Sequence, residues 1–276
     1  MKLPKILEVL TRTPLPMAPG SAESILAMFQ QHAMLSATDF KAAREGKDVC
    51  GEAVEVEQMK IEGGLAMIPV KGPLGINLGA FEKGSGATDY QDIQNELAEA
   101  NENPQVENIL LVMDTPGGMW GGLPETARAI ANSAKPVYAY VPPGGMCASA
   151  GMFLAAPCSG RLLAPSAQMG SIGVYCAYMD LSAMAEQRGI KVKVFSSGTY
   201  KGMGVPGTSL TPDQEQLLQE QVMELADEFY EHIRNHIGDV PDEAMQGQMF
   251  RSERAVELGL ADSVVESLGE MKNYLR

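Results

Sequence analysis

Ser149 stands in Met146-Cys147-Ala148-Ser149-Ala150-Gly151, and Lys201 in Gly198-Thr199-Tyr200-Lys201-Gly202-Met203-Gly204. These two residues, each in a glycine-bearing setting, could do covalent chemistry together. A serine hydroxyl attacks poorly unless a neighbour takes its proton, and a desolvated lysine can be that neighbour. The outcome would be Ser-Lys hydrolysis, a variant of the serine–histidine–aspartate arrangement. No histidine competes for the role of base. His32 lies far upstream, and His232 and His236 share one late helical stretch. Their i, i+4 spacing could hold a metal, but no glutamate of the H-E-x-x-H kind lies between them, so a polar helix face is expected. Cys147 is a rival nucleophile, placed two residues early and without a histidine partner.

Each residue taken alone also has an ordinary reading. Ser149 follows a strand and a glycine turn and opens the apolar run Ala150 to Leu154. Its hydroxyl is thus expected at a helix N-terminus, where amides and the helix dipole favour negative charge. Serine is equally a common N-cap there. A free lysine, with a pKa of about 10.4, is protonated at neutral pH; to accept a proton it must be lowered by roughly 2–4 units through burial. The uncharged neighbours Tyr200, Met203, Val205 and Pro206 suit such burial, although a solvated loop is the usual place for lysine. A third segment, Asp114-Thr115-Pro116-Gly117-Gly118, could present backbone N–H groups to a developing oxyanion. It could also be a plain turn.

The elements around these segments predict an α/β fold with mainly parallel strands. Leu65–Val70 and Asn108–Met113 are short apolar runs fitting buried strands, and Val137–Val141 is a third. Further strands are expected near Arg161–Leu163, Ile172–Ala177 and Val192–Phe195. Thr88-Asp89-Tyr90-Gln91 resembles a capping box, with Ile93, Leu97 and Ala100 following at helical spacing. A helix is expected over Pro124–Ala134. Another opens at Thr211-Pro212-Asp213-Gln214 and carries Leu218, Val222, Leu225, Phe229 and Ile233 on one stripe. Gly72–Gly86 is weakly patterned and reads as a mobile loop. Residues 1–50 read as an accessory arm with a helix over Ser21–Met34, and residues 51–276 as the chemistry-bearing domain.

Composition narrows the function classes. The chain has 276 residues, 45% of them hydrophobic, and 35 acidic against 21 basic side chains give a net charge of −14. A polyphosphate would be repelled, so nucleic-acid binding is not expected. Cys50, Cys147, Cys158 and Cys176 show neither C-x-x-C nor zinc spacing, which predicts a reducing compartment and no metal. The opening run is broken by Glu8 and lacks a signal-type apolar core of about 7–15 residues. No stretch of about 18 apolar residues occurs, so no membrane anchor is expected and the chain reads as cytoplasmic.

In these motifs the chain resembles the signal peptide peptidase A family of serine peptidases, which shares the Clp protease and crotonase fold. The resemblance runs from about Leu65 to Asp262. It rests on Asp114–Gly118, Ala148-Ser149, Gly170-Ser171-Ile172-Gly173-Val174, Tyr200-Lys201 and Ala255–Asp262, in that order and spacing. It implies repeated β-β-α units, Ser149 as nucleophile and Lys201 as general base. It further implies that Ser171 holds the lysine amine, and that Gly117, Gly118 and the Ala150 N–H form the oxyanion hole. No cofactor is implied. Thr115 departs from the serine usual in the family but keeps a small hydroxyl. The proline-bearing arm (Thr13-Pro14-Leu15-Pro16) is similar to that of the bacteriophage branch, whose members cut scaffold and capsid precursors during head assembly. That likeness implies polypeptide substrates, a homo-oligomer, and a place in the host cytoplasm or the assembling head. Rival readings are a soluble signal-peptide-peptidase-like protease degrading peptides, a crotonase-type acyl-CoA enzyme, and a non-catalytic assembly protein.

Overall fold

The computed structural model describes residues 57–267 and 269–271; the expected arm over residues 1–50 lies outside them. The apolar runs become the centre of one six-stranded sheet. Its strands are β1 (Lys60–Glu62), β2 (Leu65–Lys71), β5 (Asn108–Asp114), β6 (Val137–Val141), β8 (Gly160–Leu163) and β11 (Ser263–Val264), in that spatial order. Only β1 is antiparallel to its neighbour; the other pairings in this sheet are parallel. A strand covered on both faces reads as a continuous apolar run rather than an alternating one. In β5, Ile109, Leu110, Leu111 and Met113 are all fully buried. Each such side chain contributes about 1.5–3 kcal/mol of burial.

A second sheet holds three short strands: β7 (Met146–Ala148), β9 (Gln168–Gly170) and β10 (Met249–Arg251), ordered β10-β9-β7. Strands β3 (Leu74–Gly75) and β4 (Thr88–Asp89) form a separate parallel pair. The chain repeats one step: a strand in the large sheet, a short strand outside it, then a helix. Thus β6 leads to β7 and to α4 (Ala150–Ala155), while β2 leads through β3 and β4 to α2 (Tyr90–Glu102). The expected α/β organisation of repeated β-β-α units with mainly parallel strands is therefore present.

Several local expectations are corrected. Gly72–Gly86 is not a structureless loop: it contains β3 and α1 (Ala80–Gly84), and Leu74 is fully buried. The cap of α2 is Asp89, which accepts from the Gln91 amide, rather than Thr88. Thr88 instead exchanges hydrogen bonds with the Lys71 backbone, stitching β4 to the end of β2. The helix expected over Pro124–Ala134 runs over Leu123–Ala131 (α3). Residues 172–177 and 192–195 form no named strand; this stretch carries the short α5 (Ser182–Gln187) and is largely exposed. Their β-branched residues suit a sheet, but none of the named strands of the described residues pairs with them.

The long helix α6 (Pro212–Ile237) is where its start signal puts it. Thr211 Oγ1 accepts from the Gln214 amide while Gln214 Oε1 accepts from the Thr211 amide. Of its stripe, Phe229 and Ile233 are buried, whereas Leu218, Val222 and Leu225 are only half-buried.

Candidate active site

The nucleophile candidate sits where the small sheet meets the core. Strands β7 and β9 are parallel with Ala148 opposite Gly170, so Ser149 and Ser171 emerge side by side just past the paired ends. Adjacent strands are about 4.8 Å apart, which makes these two serines neighbours. Both have positive φ, 54° at Ser149 and 52° at Ser171, and both are buried. Non-glycine residues rarely hold that conformation, which costs of order 1–3 kcal/mol where it occurs. The Ser149 N–H donates to Gly170 O at 2.9 Å and the Ser171 N–H to Gln248 O at 2.6 Å, so the ladder imposes the strain.

Ser149 is the N-cap of α4, yet its side chain makes no capping hydrogen bond. Its hydroxyl instead donates to Gly173 O at 3.3 Å, a long contact that leaves the oxygen lone pairs uncommitted. The ordinary reading of this serine as a helix cap therefore does not describe it. Helix α4 is buried along its whole length, from Ala150 to Ala155. A helix that is apolar on every side belongs in a core, and this one carries the Ser149 hydroxyl in with it.

The Asp114–Gly118 segment lies against the same strand. Thr115 N donates to Met146 O at 2.8 Å and Ala148 N to Thr115 O at 3.0 Å, placing the segment beside β7. The fully buried Thr115 hydroxyl donates to Gly72 O at 2.6 Å and accepts from the Gly117 amide at 3.1 Å. The Gly117 N–H is thus used inside the loop and is not a free donor for an oxyanion. Leu74 N donates to Gly117 O, and Met119 N donates to Leu74 O, both at 2.9 Å. In a trans peptide the N–H points opposite the preceding carbonyl, so the Gly118 N–H faces away from β3. It has no acceptor among the described residues. Gly118 must be glycine: a Cβ there would stand 2.0 Å from Leu74 O. The Ala150 N–H is one of the first-turn amides that have no partner within a helix.

Lys201 is not part of this cluster. It is exposed in a turn closed by its own N–H to Gly198 O at 3.1 Å, and no described residue hydrogen-bonds its amine. Tyr200 and Pro206 are exposed as well, while Met203 and Val205 are half-buried. The expected desolvation of Lys201 is therefore not supplied by its neighbours in the chain. The structure unites Ser149, Ala150, Ser171 and the Gly117–Gly118 loop, and leaves Lys201 outside.

The rival groups are disposed of by their surroundings. Burial pushes the Cys147 thiol far above its ordinary range and Cys158 up to about 12, so neither offers a thiolate. His232 is not on a polar face. Its ring stacks on Phe153 with centroids 3.7 Å apart, and Nε2 lies 2.8 Å from Phe153 O. A carbonyl only accepts, so Nε2 carries the proton. Burial lowers the His232 pKa to about 4. No group of three or more potential metal ligands occurs among the described residues. Two site residues escaped the sequence reading as functional: Thr115, whose hydroxyl fixes the loop, and Tyr90, whose hydroxyl donates to Met119 O at 2.7 Å. The spacing of Thr115 before Gly117 was a usable signal; Tyr90, distant in sequence, gave none.

Comparison with known proteins bears on this cluster. The capsid assembly protease C of Escherichia phage lambda is 33% identical over 217 residues, covering 77% of this chain and 49% of that protein. The head-tail preconnector protein GP5 of Enterobacteria phage P21 is 30% identical over 212 residues, covering 75% and 42%. The chain thus spans about half the length of these relatives or less. Among solved structures, the 1510-N membrane protease specific for a stomatin homolog from Pyrococcus horikoshii is 18% identical, covers 78% of this chain and 79% of its own, and has a TM-score of 0.42. Residues 129–271, which include Ser149, Ala150, Ser171 and Lys201, match the description of peptidase family S49. The chain belongs to peptidase family S49.

Proposed function

We propose that the chain is a serine endopeptidase working through an acyl-enzyme, with Ser149 as nucleophile and Lys201 as base. The observation that carries this reading is the Ser149 hydroxyl: buried, at a strained helix start, unused as a cap, and near two uncommitted amides. Neutral Lys201 takes the Oγ proton as Oγ adds to the scissile carbonyl. The Gly118 and Ala150 N–H groups hold the oxyanion, and Gly117 shapes the loop. The lysine proton then passes to the leaving amine as the C–N bond breaks. Water, deprotonated by the same lysine, hydrolyses the ester. Ser171 is read as the group that orients the lysine amine.

This chemistry requires Lys201 to leave solvent and reach Ser149. We read the chain as self-associating, and its charge distribution supports that. Residues 188–201 carry four cations and no acid, whereas residues 212–233 of α6 carry seven acids and no lysine or arginine. No ion pair joins the two among the described residues, and Phe195 between the cations is 91% exposed. The substrate reading is a polypeptide of phage head assembly, as the names of the two phage relatives suggest. No helix of the described residues is long and apolar enough to cross a membrane.

The test is a fluorophosphonate probe applied across pH, with the modified residue identified by peptide mapping. Labelling of Ser149 that titrates with one basic group, and is lost in Lys201→Ala, is expected. Labelling elsewhere, or none in folded protein, would sink the reading.

A further inference from the structure

The loop bearing Gly118 is held at both ends, and the two ends are held differently. On one side Thr115 anchors it from within the same segment. On the other side the anchor comes from far away in sequence: the Tyr90 hydroxyl donates to Met119 O at 2.7 Å across 29 residues. Tyr90 is fully buried at the first position of α2, below a cap made by Asp89. Asp89 is itself tied down, its Oδ1 accepting from Gln91 N and its Oδ2 from Leu78 N at 2.7 Å. Ring and hydroxyl are therefore fixed by a helix start that has no other business near the loop. The ring also walls the loop, since a Cβ on Gly122 would come within 3.0 Å of Tyr90 Cδ2. Leu74 N and O meanwhile bond Gly117 O and Met119 N, straddling Gly118. Without the tyrosine hydroxyl, the Met119–Trp120 peptide would have one anchor fewer, and the C-terminal side of Gly118 would be held by Leu74 O alone.

From these contacts we infer that Tyr90 is a positioning residue for the oxyanion donor at Gly118, acting through the Met119 carbonyl. The inference rests on the peptidase reading above. Its effect falls on charge stabilisation in the transition state, because the Tyr90 hydroxyl contacts the loop that carries the Gly118 amide. Preorganised donors matter most where charge develops, and losing one donor outright costs about 10²–10³-fold in turnover. Loosening one by releasing its neighbour should cost less, roughly 3- to 30-fold. Burial raises the Tyr90 phenol well above its ordinary range, so the hydroxyl stays a donor throughout any working pH.

The experiment is Tyr90→Phe, which keeps the ring in place and removes only the hydroxyl. Active serines are first counted by the amplitude of fluorophosphonate labelling at Ser149, and all rates are expressed per labelled site. The expected result is unchanged amplitude, a labelling rate and a kcat each lowered roughly 3- to 30-fold, and KM unchanged within about twofold. A lowered amplitude with an unchanged rate per labelled site would mean that Tyr90 only helps the chain fold, and would overturn the inference. A raised KM with unchanged kcat would overturn it too, since that pattern belongs to substrate contact. Failure of the wild-type chain to label at Ser149 would instead refute the peptidase reading itself.

Discussion

Replacing Thr115 by valine tests the loop geometry without altering its shape. The two side chains have nearly the same outline, so no cavity forms, and what disappears is one hydroxyl with two hydrogen bonds. Its bond to Gly72 O is 2.6 Å and its bond from Gly117 N is 3.1 Å. The Gly117 amide is buried and would be left unsatisfied, at about 1–3 kcal/mol. Gly72 is only half-buried, and water can replace part of its bond, so its loss is about 0.5–1.5 kcal/mol. The sum is roughly 1.5–4.5 kcal/mol. For a chain of this size that lowers Tm by roughly 3–18 °C. Thr115→Ser keeps both bonds and removes one methyl, which packs so close to Gly151 that a Cβ there would stand 2.7 Å from it. The serine variant should lose only about 1 kcal/mol. Denaturant or thermal unfolding of both variants measures the order directly. If valine proves as stable as wild type, or less harmful than serine, packing rather than hydrogen bonding holds this loop, and the account given of the site is wrong.

Ser149→Gly should abolish fluorophosphonate labelling while leaving stability equal or raised by up to about 1–2 kcal/mol, because glycine adopts φ of 54° freely; a clear drop in Tm would contradict the strain assigned to this residue. Gly118→Ala should unfold the β3 contact or shift it, since its Cβ would meet Leu74 O at 2.0 Å. Loss of labelling together with a cost of about 2 kcal/mol or more is expected, and a neutral result would show that the loop has room. The folded-state pKa of His232, about 4, lies below the unfolded value of about 6.5. The unfolded chain therefore takes up this proton first, and stability falls as pH drops from about 6.5 to 4. Partial exposure holds the contribution to roughly 1–3 kcal/mol. The stability difference between wild type and His232→Gln should shrink over that interval, and a difference that stays constant would remove His232 from the account.

How much was legible in the sequence follows from how each element earns its structure. Strands β2, β5 and β6 are long enough for their apolar runs to announce burial on two faces. The start of α6 was legible because a capping box is a local device whose partners lie three residues apart. Strands β7, β9 and β10 are three residues each, and β9 and β10 carry glycine, glutamine or arginine. Nothing periodic survives in so short a span, and their pairing is decided by residues that are up to about eighty positions distant. The opposite error arose at Val192–Phe195, where β-branched residues suggested a strand that finds no partner among the described residues. For the site, Ser149 and the Gly117–Gly118 turn were readable from glycine placement after strands. The use of the Gly117 amide by Thr115 was not, because which of two adjacent amides is free depends on side-chain direction. The exposed setting of Lys201 was equally hidden, since burial is a property of what packs around a residue.

The pairing of Ala148 with Gly170 has a consequence for how this chain tolerates insertions and deletions. Side chains in a strand alternate faces, so a slip of one residue in a three-residue ladder would send the serine hydroxyl to the opposite side of the sheet. Only the Pro142–Gly145 turn, closed by Gly145 N to Pro142 O, separates β6 from β7, and it has no slack to absorb such a change. A single residue added or removed there should be far more damaging than the same change among the exposed residues between α5 and α6. Length variation in this chain should therefore gather after residue 187 and be nearly absent between residues 141 and 149.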